Sequence, residues 1–155
     1  MVKAVIFDFD GVLADSHGII NRIFSNILKN ELEIEVSEEE FGKLAGMRFE
    51  HRIEKIAHNH KLKISKNKAL AVAEKGRQEY FINGIAYVRL FPGAERVLNE
   101  FKSAGFLLGL GTNGSRQHVE LLVKMLNIGN YFSSVVTFSD VAVPKPSPDI
   151  FLKCA

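Results

Sequence analysis

The chain has one cysteine, Cys154, and no tryptophan in its 155 residues. A lone thiol cannot close an internal disulfide, so disulfide-stapled secreted scaffolds are excluded and a reducing cytoplasm is the expected address. Proline numbers only 4, which excludes collagen-like and proline-rich linker compositions. An excess of one charge is also missing, since 20 Lys+Arg stand against 18 Asp+Glu for a formal +2. That bias is too small to predict a nucleic-acid or anionic-membrane partner. The first apolar run is broken by Asp8, and no stretch reaches the roughly 20 apolar residues of a membrane span, so neither a secretory signal nor a membrane partner is expected. What is present is ordinary: 46% hydrophobic and 25% charged residues, the balance of a soluble globular domain.

Residues 2–7 are β-branched, aromatic and too few for a helix, which predicts a buried strand of a parallel sheet running into Asp8-Phe9-Asp10-Gly11. Ser16 can cap a helix whose Ile20, Ile23, Phe24, Ile27 and Leu28 form one apolar stripe. Ser37 and Glu40 read as a capping box, Val36 and Phe41 as its hydrophobic staple, and Gly46 as the left-handed end of that short helix. Phe49, Ile53 and Ile56 predict a third helix. A fourth, capped by Ser65, turns Leu70, Ala73, Tyr80 and Phe81 inward and stops at Asn83-Gly84.

Beyond that helical stretch the pattern alternates. Pro92-Gly93 opens a helix with Val97, Leu98 and Phe101 inward, Gly105 closes it, and residues 106–110 read as a strand. A helix over 115–127 leads to a second strand over 135–138, a crossover that implies parallel pairing. The expected architecture is an α/β core, residues 1–15 and 85–155, split by a helical insertion over 16–84. The insertion is expected to lie as a cap over the carboxyl ends of the strands, where open α/β sheets bind ligands.

Asp8 and Asp10 leave the first strand two positions apart, so their carboxylates are aimed at one small volume, and Gly11 lets the backbone turn sharply. Such a pair suits a hard cation such as Mg²⁺, and it suits division of labour between a nucleophile and a proton donor. Helix-capping aspartates would not require the desolvation that the end of a buried strand imposes.

With its apolar strand running into D-x-D-G, the chain resembles the haloacid dehalogenase-like hydrolase superfamily, in its phosphatase and β-phosphoglucomutase-like branch. The first motif stands here as Val5-Ile6-Phe7-Asp8-Phe9-Asp10-Gly11-Val12-Leu13, the second as Leu110-Gly111-Thr112-Asn113, and the third as Lys145-Pro146-Ser147-Pro148-Asp149. The resemblance implies a Rossmann-like, parallel, three-layer core with an inserted all-helical cap domain.

It also implies a phosphoryl-transfer site. Asp8 would attack phosphorus and carry an aspartyl-phosphate. Asp10 would protonate the leaving oxygen and then act as base toward water. Mg²⁺ would be held by the Asp8 carboxylate and the Asp10 backbone carbonyl. Thr112 through its hydroxyl and Asn113 through its backbone N–H would grip phosphoryl oxygens, and Lys145 would offset their charge. Pro144, Pro146 and Pro148 flank that lysine and pin it in an extended segment before a helix. Arg48 follows Gly46 in a cap segment that in similar phosphatases and phosphomutases dips toward the active site, and so is expected to contact substrate. The expected partner is a small phosphorylated metabolite. A phosphomutase similar to β-phosphoglucomutase, and a truncated non-catalytic phosphate-binding module, are the alternatives.

Gly109-Leu110-Gly111-Thr112-Asn113-Gly114, with Asp140 farther on, also matches a dinucleotide-binding fingerprint. It starts too late to complete a dinucleotide-binding half and leaves Asp8 and Asp10 unexplained. His51, His58 and His60 lack the spacing of a zinc site and read as solvated. The family pattern carries a further acidic loop beyond the lysine motif, and the chain reaches Ala155 before it. The C-terminal part of the core is therefore expected to be missing, most simply because the chain is incomplete. The first strand would then present an open edge for self-association or for a complementing C-terminal segment.

Overall fold

The structure, a computed structural model, describes residues 3–155; Val2, the first residue expected in the opening strand, lies outside them. In chain order the strands are β1 (Ala4–Phe7), β2 (Ala14–Asp15), β3 (Arg89–Leu90), β4 (Leu107–Gly111) and β5 (Ser134–Val136). The helices are α1 (His17–Leu32), α2 (Glu38–Gly42), α3 (Phe49–Asn59), α4 (Lys66–Glu79), α5 (Ala94–Ser103), α6 (Arg116–Met125) and α7 (Asp149–Cys154). These elements fall into two units, Met1–Ser16 with Val88–Ala155, and His17–Tyr87.

The first unit is an α/β, Rossmann-like fold around a 3-stranded parallel sheet in the order β1-β4-β5. In register, Ile6 stands beside Gly109 and Phe7 beside Leu110. Side chains alternate across a sheet, so those pairs mark its two faces. Phe7 meets Phe101 of α5 edge-on, ring centroids 6.1 Å apart. On the other face a Cβ on Gly109 would lie 2.5 Å from Cys154 Sγ, and one on Gly111 would lie 3.0 Å from Ile150 Cγ2. Helix α7 thus packs where β4 has no side chains, and two helical layers enclose the sheet.

β1 is less covered than its composition suggests, with Ala4 exposed and Val5, Ile6 and Phe7 half-buried, because it pairs with β4 alone among the described strands. β5 ends at Val136, short of the expected Phe138. Thr137 caps a turn over Phe138–Asp140 in a reciprocal capping box with Asp140, which takes the backbone out of the sheet.

The second unit is helical. Ser37 Oγ and Ser65 Oγ accept from the N–H groups of Glu40 and Lys68 at 3.0 and 3.1 Å, as their N-cap positions require. The Glu40 carboxylate, expected to complete the capping box, instead takes His60 Nε2 at 3.0 Å; this histidine is therefore bonded rather than simply solvated. Helix α2 stops at Gly42, and Gly46, at φ +88°, ends the turns that follow it.

In α4 the buried stripe is Ala69, Val72, Ala73 and Gly76, while Leu70, expected inward, is exposed. The small residues admit a close neighbour. Phe24 of α1 stacks between Phe41 and Phe49, with centroids 5.0 and 4.3 Å away, and a Cβ on Gly76 would overlap its ring. No described helix is long and apolar enough to cross a membrane.

Held by two rings, Phe24 cannot yield. Overpacking of this kind costs roughly 1–3 kcal/mol, against the ~1 kcal/mol that alanine gains over glycine in a helix. Gly76→Ala is expected to lower the urea midpoint by an amount equivalent to about 1 kcal/mol. A rise in the midpoint would mean that propensity outweighs the overlap.

Candidate active site

Asp8 follows β1 directly, and the buried Phe9 separates it from Asp10. The Phe9 carbonyl accepts from the N–H groups of Val12, Leu13 and Ala14, and Gly11 takes φ +79°. The chain therefore turns tightly just past the carboxylate pair. Asp10 Oδ1 accepts from Ser16 Oγ at 2.5 Å and faces His118 Nε2 at 3.5 Å. The hydroxyl hydrogen of Ser16, expected only as a helix cap, thus goes to an aspartate.

Thr112 lies just past the end of β4, its N–H donating to the Val136 carbonyl at 3.0 Å. Its Oγ1 accepts from the Gly114 N–H at 3.0 Å, which occupies an acceptor site and leaves the hydroxyl hydrogen to act as a donor. The Asn113 side chain clamps the backbone of Lys145: Nδ2 donates to its carbonyl at 3.1 Å, and Oδ1 accepts from its N–H at 2.9 Å. The peptide from Lys145 to Pro146 is cis. So held, the lysine aims its Nζ at the Gly111 carbonyl, 2.7 Å away, and at Asp8 Oδ2, 3.0 Å away. The ring of Phe151 lies beneath the ammonium, its centroid at 4.8 Å.

Residues distant in the chain are thereby gathered within the α/β unit: Asp8 with Lys145 and Asp10 with His118 across more than a hundred positions, and Lys145 with Asn113 and Asp10 with Ser16 over shorter spans. Arg48 belongs to the helical unit. There it precedes α3, with its guanidinium 2.6 Å from the buried carboxylate of Glu50. Arg52, also buried, donates from Nε to the Met47 carbonyl at 3.0 Å and lies over the rings of Phe41 and Phe49. Sequence reasoning missed Ser16 and His118 as neighbours of Asp10, and the Asn113 side chain as the clamp. The available signal was position alone: Ser115, at the N-cap of α6, fixes His118 in the first turn.

The family model for haloacid dehalogenase-like hydrolases matches residues 5–155. The chain belongs to that family. Among curated proteins this haloacid dehalogenase-like hydrolase is similar to YhcW of Bacillus subtilis, at 28% identity over 100% of this chain and 69% of that protein. It is similar also to the pyrophosphatase PpaX of Oceanobacillus iheyensis, at 26% identity over 96% and 65%. The chain thus spans about two thirds of their length. Among solved structures, a predicted phosphoglycolate phosphatase from Haemophilus somnus superposes with TM-score 0.86 at 21% identity, over 98% of this chain and 69% of that one. A CbbY variant from Rhodobacter sphaeroides in complex with xylulose-(1,5)bisphosphate superposes with TM-score 0.75 at 25% identity, over 99% and 71%.

In this hydrolase the glycines that mimic a dinucleotide fingerprint have packing reasons. Gly109 and Gly111 admit α7, and a Cβ on Gly114 would meet Val119 and His118 at 3.0 and 3.3 Å. Asp140, the acid of that fingerprint, is occupied. Its Oδ2 accepts from Arg116 Nη2 at 2.6 Å and from the N–H and hydroxyl of Thr137, both at 2.7 Å. Burial acts to raise its pKa, but the Thr137 hydroxyl and N–H and the Arg116 guanidinium outweigh it and lower the value from 3.8 to about 2.

A carboxylate held below its unfolded value stabilises the fold above that value, and this stabilisation is lost as pH falls through the folded value. The margin of wild type over Asp140→Asn in urea unfolding is expected to shrink by about 1–2 kcal/mol between about pH 5 and about pH 2. A margin constant over that interval would contradict the network.

Proposed function

We propose that the chain carries out Mg²⁺-dependent hydrolysis of a small phosphorylated metabolite through an aspartyl-phosphate on Asp8. The observation that carries this reading is the Lys145 ammonium 3.0 Å from Asp8, which puts a fixed cation beside the group that would attack a phosphate ester. Names among the relatives agree in substrate type: a pyrophosphatase, a glyceraldehyde 3-phosphate phosphatase from Pyrococcus abyssi, and the bisphosphate complex of CbbY. The chemistry is assigned to the α/β unit. Substrate choice is assigned to the helical unit, with Arg48 as its candidate contact, and the reducing cytoplasm is the proposed location.

Asp8 Oδ attacks phosphorus in line, and the bond from phosphorus to the leaving oxygen breaks as the new bond forms. Asp10 gives its proton to that oxygen. In the second half Asp10 takes a proton from water, the water oxygen attacks phosphorus, and Asp8 departs as a free carboxylate with release of inorganic phosphate. The Thr112 hydroxyl and the Asn113 N–H donate to phosphoryl oxygens while Lys145 offsets their charge.

The donor set fits Mg²⁺. The Asp8 carboxylate and the Asp10 carbonyl, the ligands that the family resemblance assigns, are hard oxygen donors of the kind Mg²⁺ takes. Bound there, Mg²⁺ would supply charge neutralisation for the phosphoryl group.

Asp8→Asn is expected to lower turnover of an aryl phosphate in the presence of Mg²⁺ by about 10⁴-fold or more, the scale for loss of a nucleophile, with phosphate release as the readout. Equal activity in both proteins would overturn the nucleophile assignment. Product analysis would replace the phosphatase with a mutase if an isomeric sugar phosphate accumulated.

A further inference from the structure

A proton donor has to meet one oxygen of the leaving group within hydrogen-bond reach, so the groups that orient Asp10 bear on its proposed role. Two side chains converge on Asp10 Oδ1. Ser16 lies close in sequence, whereas His118 comes from α6. The His118 imidazole is buried, with its side chain 11% exposed. Its backbone N–H donates to Ser115 Oγ at 3.3 Å, which fixes the first turn of α6. Its Cδ2 lies 3.3 Å from the position that a Cβ on Gly114 would occupy. The edge of the ring that carries Cδ2 and Nε2 thus lies near both Gly114 of the Thr112-Asn113-Gly114 loop and the Asp10 carboxyl.

We propose that His118 is a positioning residue for Asp10. With its hydrogen on Nε2, the ring donates to Oδ1 and ties the carboxyl to the loop that grips the phosphoryl group, so donor and phosphorus keep one geometry. The 3.5 Å separation is long for a hydrogen bond and is of the kind that tightens when substrate fills a site. This inference rests on the assignment of Asp10 as the acid in the phosphatase reading above.

The test uses two esters that differ in their need for an acid. Phenyl phosphate has the poorer leaving group and depends on protonation more than p-nitrophenyl phosphate does. The ratio kcat/KM reports the first chemical step, in which Asp10 acts as acid. His118→Phe keeps the volume and removes the donor. It is expected to lower kcat/KM for phenyl phosphate about tenfold, and for p-nitrophenyl phosphate less than about threefold, with the loss in kcat rather than KM. His118→Gln, which retains an N–H donor, is expected to recover most of the loss on phenyl phosphate.

Equal losses on both esters, or no loss on either, would overturn the positioning role while leaving the phosphatase reading intact, provided Asp8→Asn abolishes turnover of both. Failure of the wild-type protein to hydrolyse either ester with Mg²⁺ would overturn both readings. A readout independent of turnover is the imidazole ¹⁵N spectrum. Asp10→Ala is expected to shift the His118 Nε2 resonance, and an unchanged resonance would overturn the contact.

Discussion

The arrangement turns on one ammonium group. Lys145 Nζ bridges the Asp8 carboxylate at the end of β1 and the Gly111 carbonyl at the end of β4, and its side chain is only 17% exposed. A cation so far removed from water is tolerable because two oxygens and the face of Phe151 replace its hydration. The lysine cannot choose this position by itself, since four flexible bonds separate Nζ from the backbone. The Asn113 side chain removes part of that freedom by bonding both the N–H and the carbonyl of residue 145. One loop thus carries the groups proposed to grip phosphate and also sets the lysine.

The same economy governs the sheet beneath. Glycines at 109 and 111 weaken a strand by ordinary propensity, yet here they let α7 settle against β4, with Ile150 and Cys154 in the space that side chains would fill. That contact brings Phe151 under the lysine. On the opposite face, Leu108 and Leu110 of β4 are buried, and Phe7 of β1 packs on α5. A strand with large residues on one face and none on the other therefore holds one helical layer at side-chain distance and draws the other in close.

Which parts were legible in the sequence follows from how local each cause is. The caps at Ser37 and Ser65, the stripe of α1 and the turn at Gly11 depend on residues a few positions apart, and they could be read directly. The inward face of α4 could not be read, because a stripe of Ala69, Ala73 and Gly76 carries little hydrophobic signal; its burial depends on the distant Phe24. The end of β5 escaped because Thr137 reads as a strand residue until it and Arg116 are seen to converge on Asp140. At the candidate site, Asp8, Asp10, Thr112 and Lys145 were proposed from the motifs. The partners of Asp10 were not, since nothing in the string links Ser16 or His118 to a carboxylate more than a few residues away.

The two aspartates, chemically identical and two positions apart, differ in what they face, and that difference matches the division of labour proposed for them. Asp8 faces an ammonium group, a partner suited to a carboxylate that bonds to phosphorus. Asp10 faces a hydroxyl and an imidazole, groups that can each donate or accept and so can serve a carboxyl in either protonation state. A residue that gives a proton in one half of a reaction and takes one in the other needs neighbours of that kind. The charge count adds a further constraint: Lys145 and Asp8 cancel, so a phosphate monoester dianion entering the site would find no net positive charge in that pair. On the proposed reading, a divalent cation held by Asp8 and the Asp10 carbonyl would supply the missing charge and so let an anion approach a carboxylate.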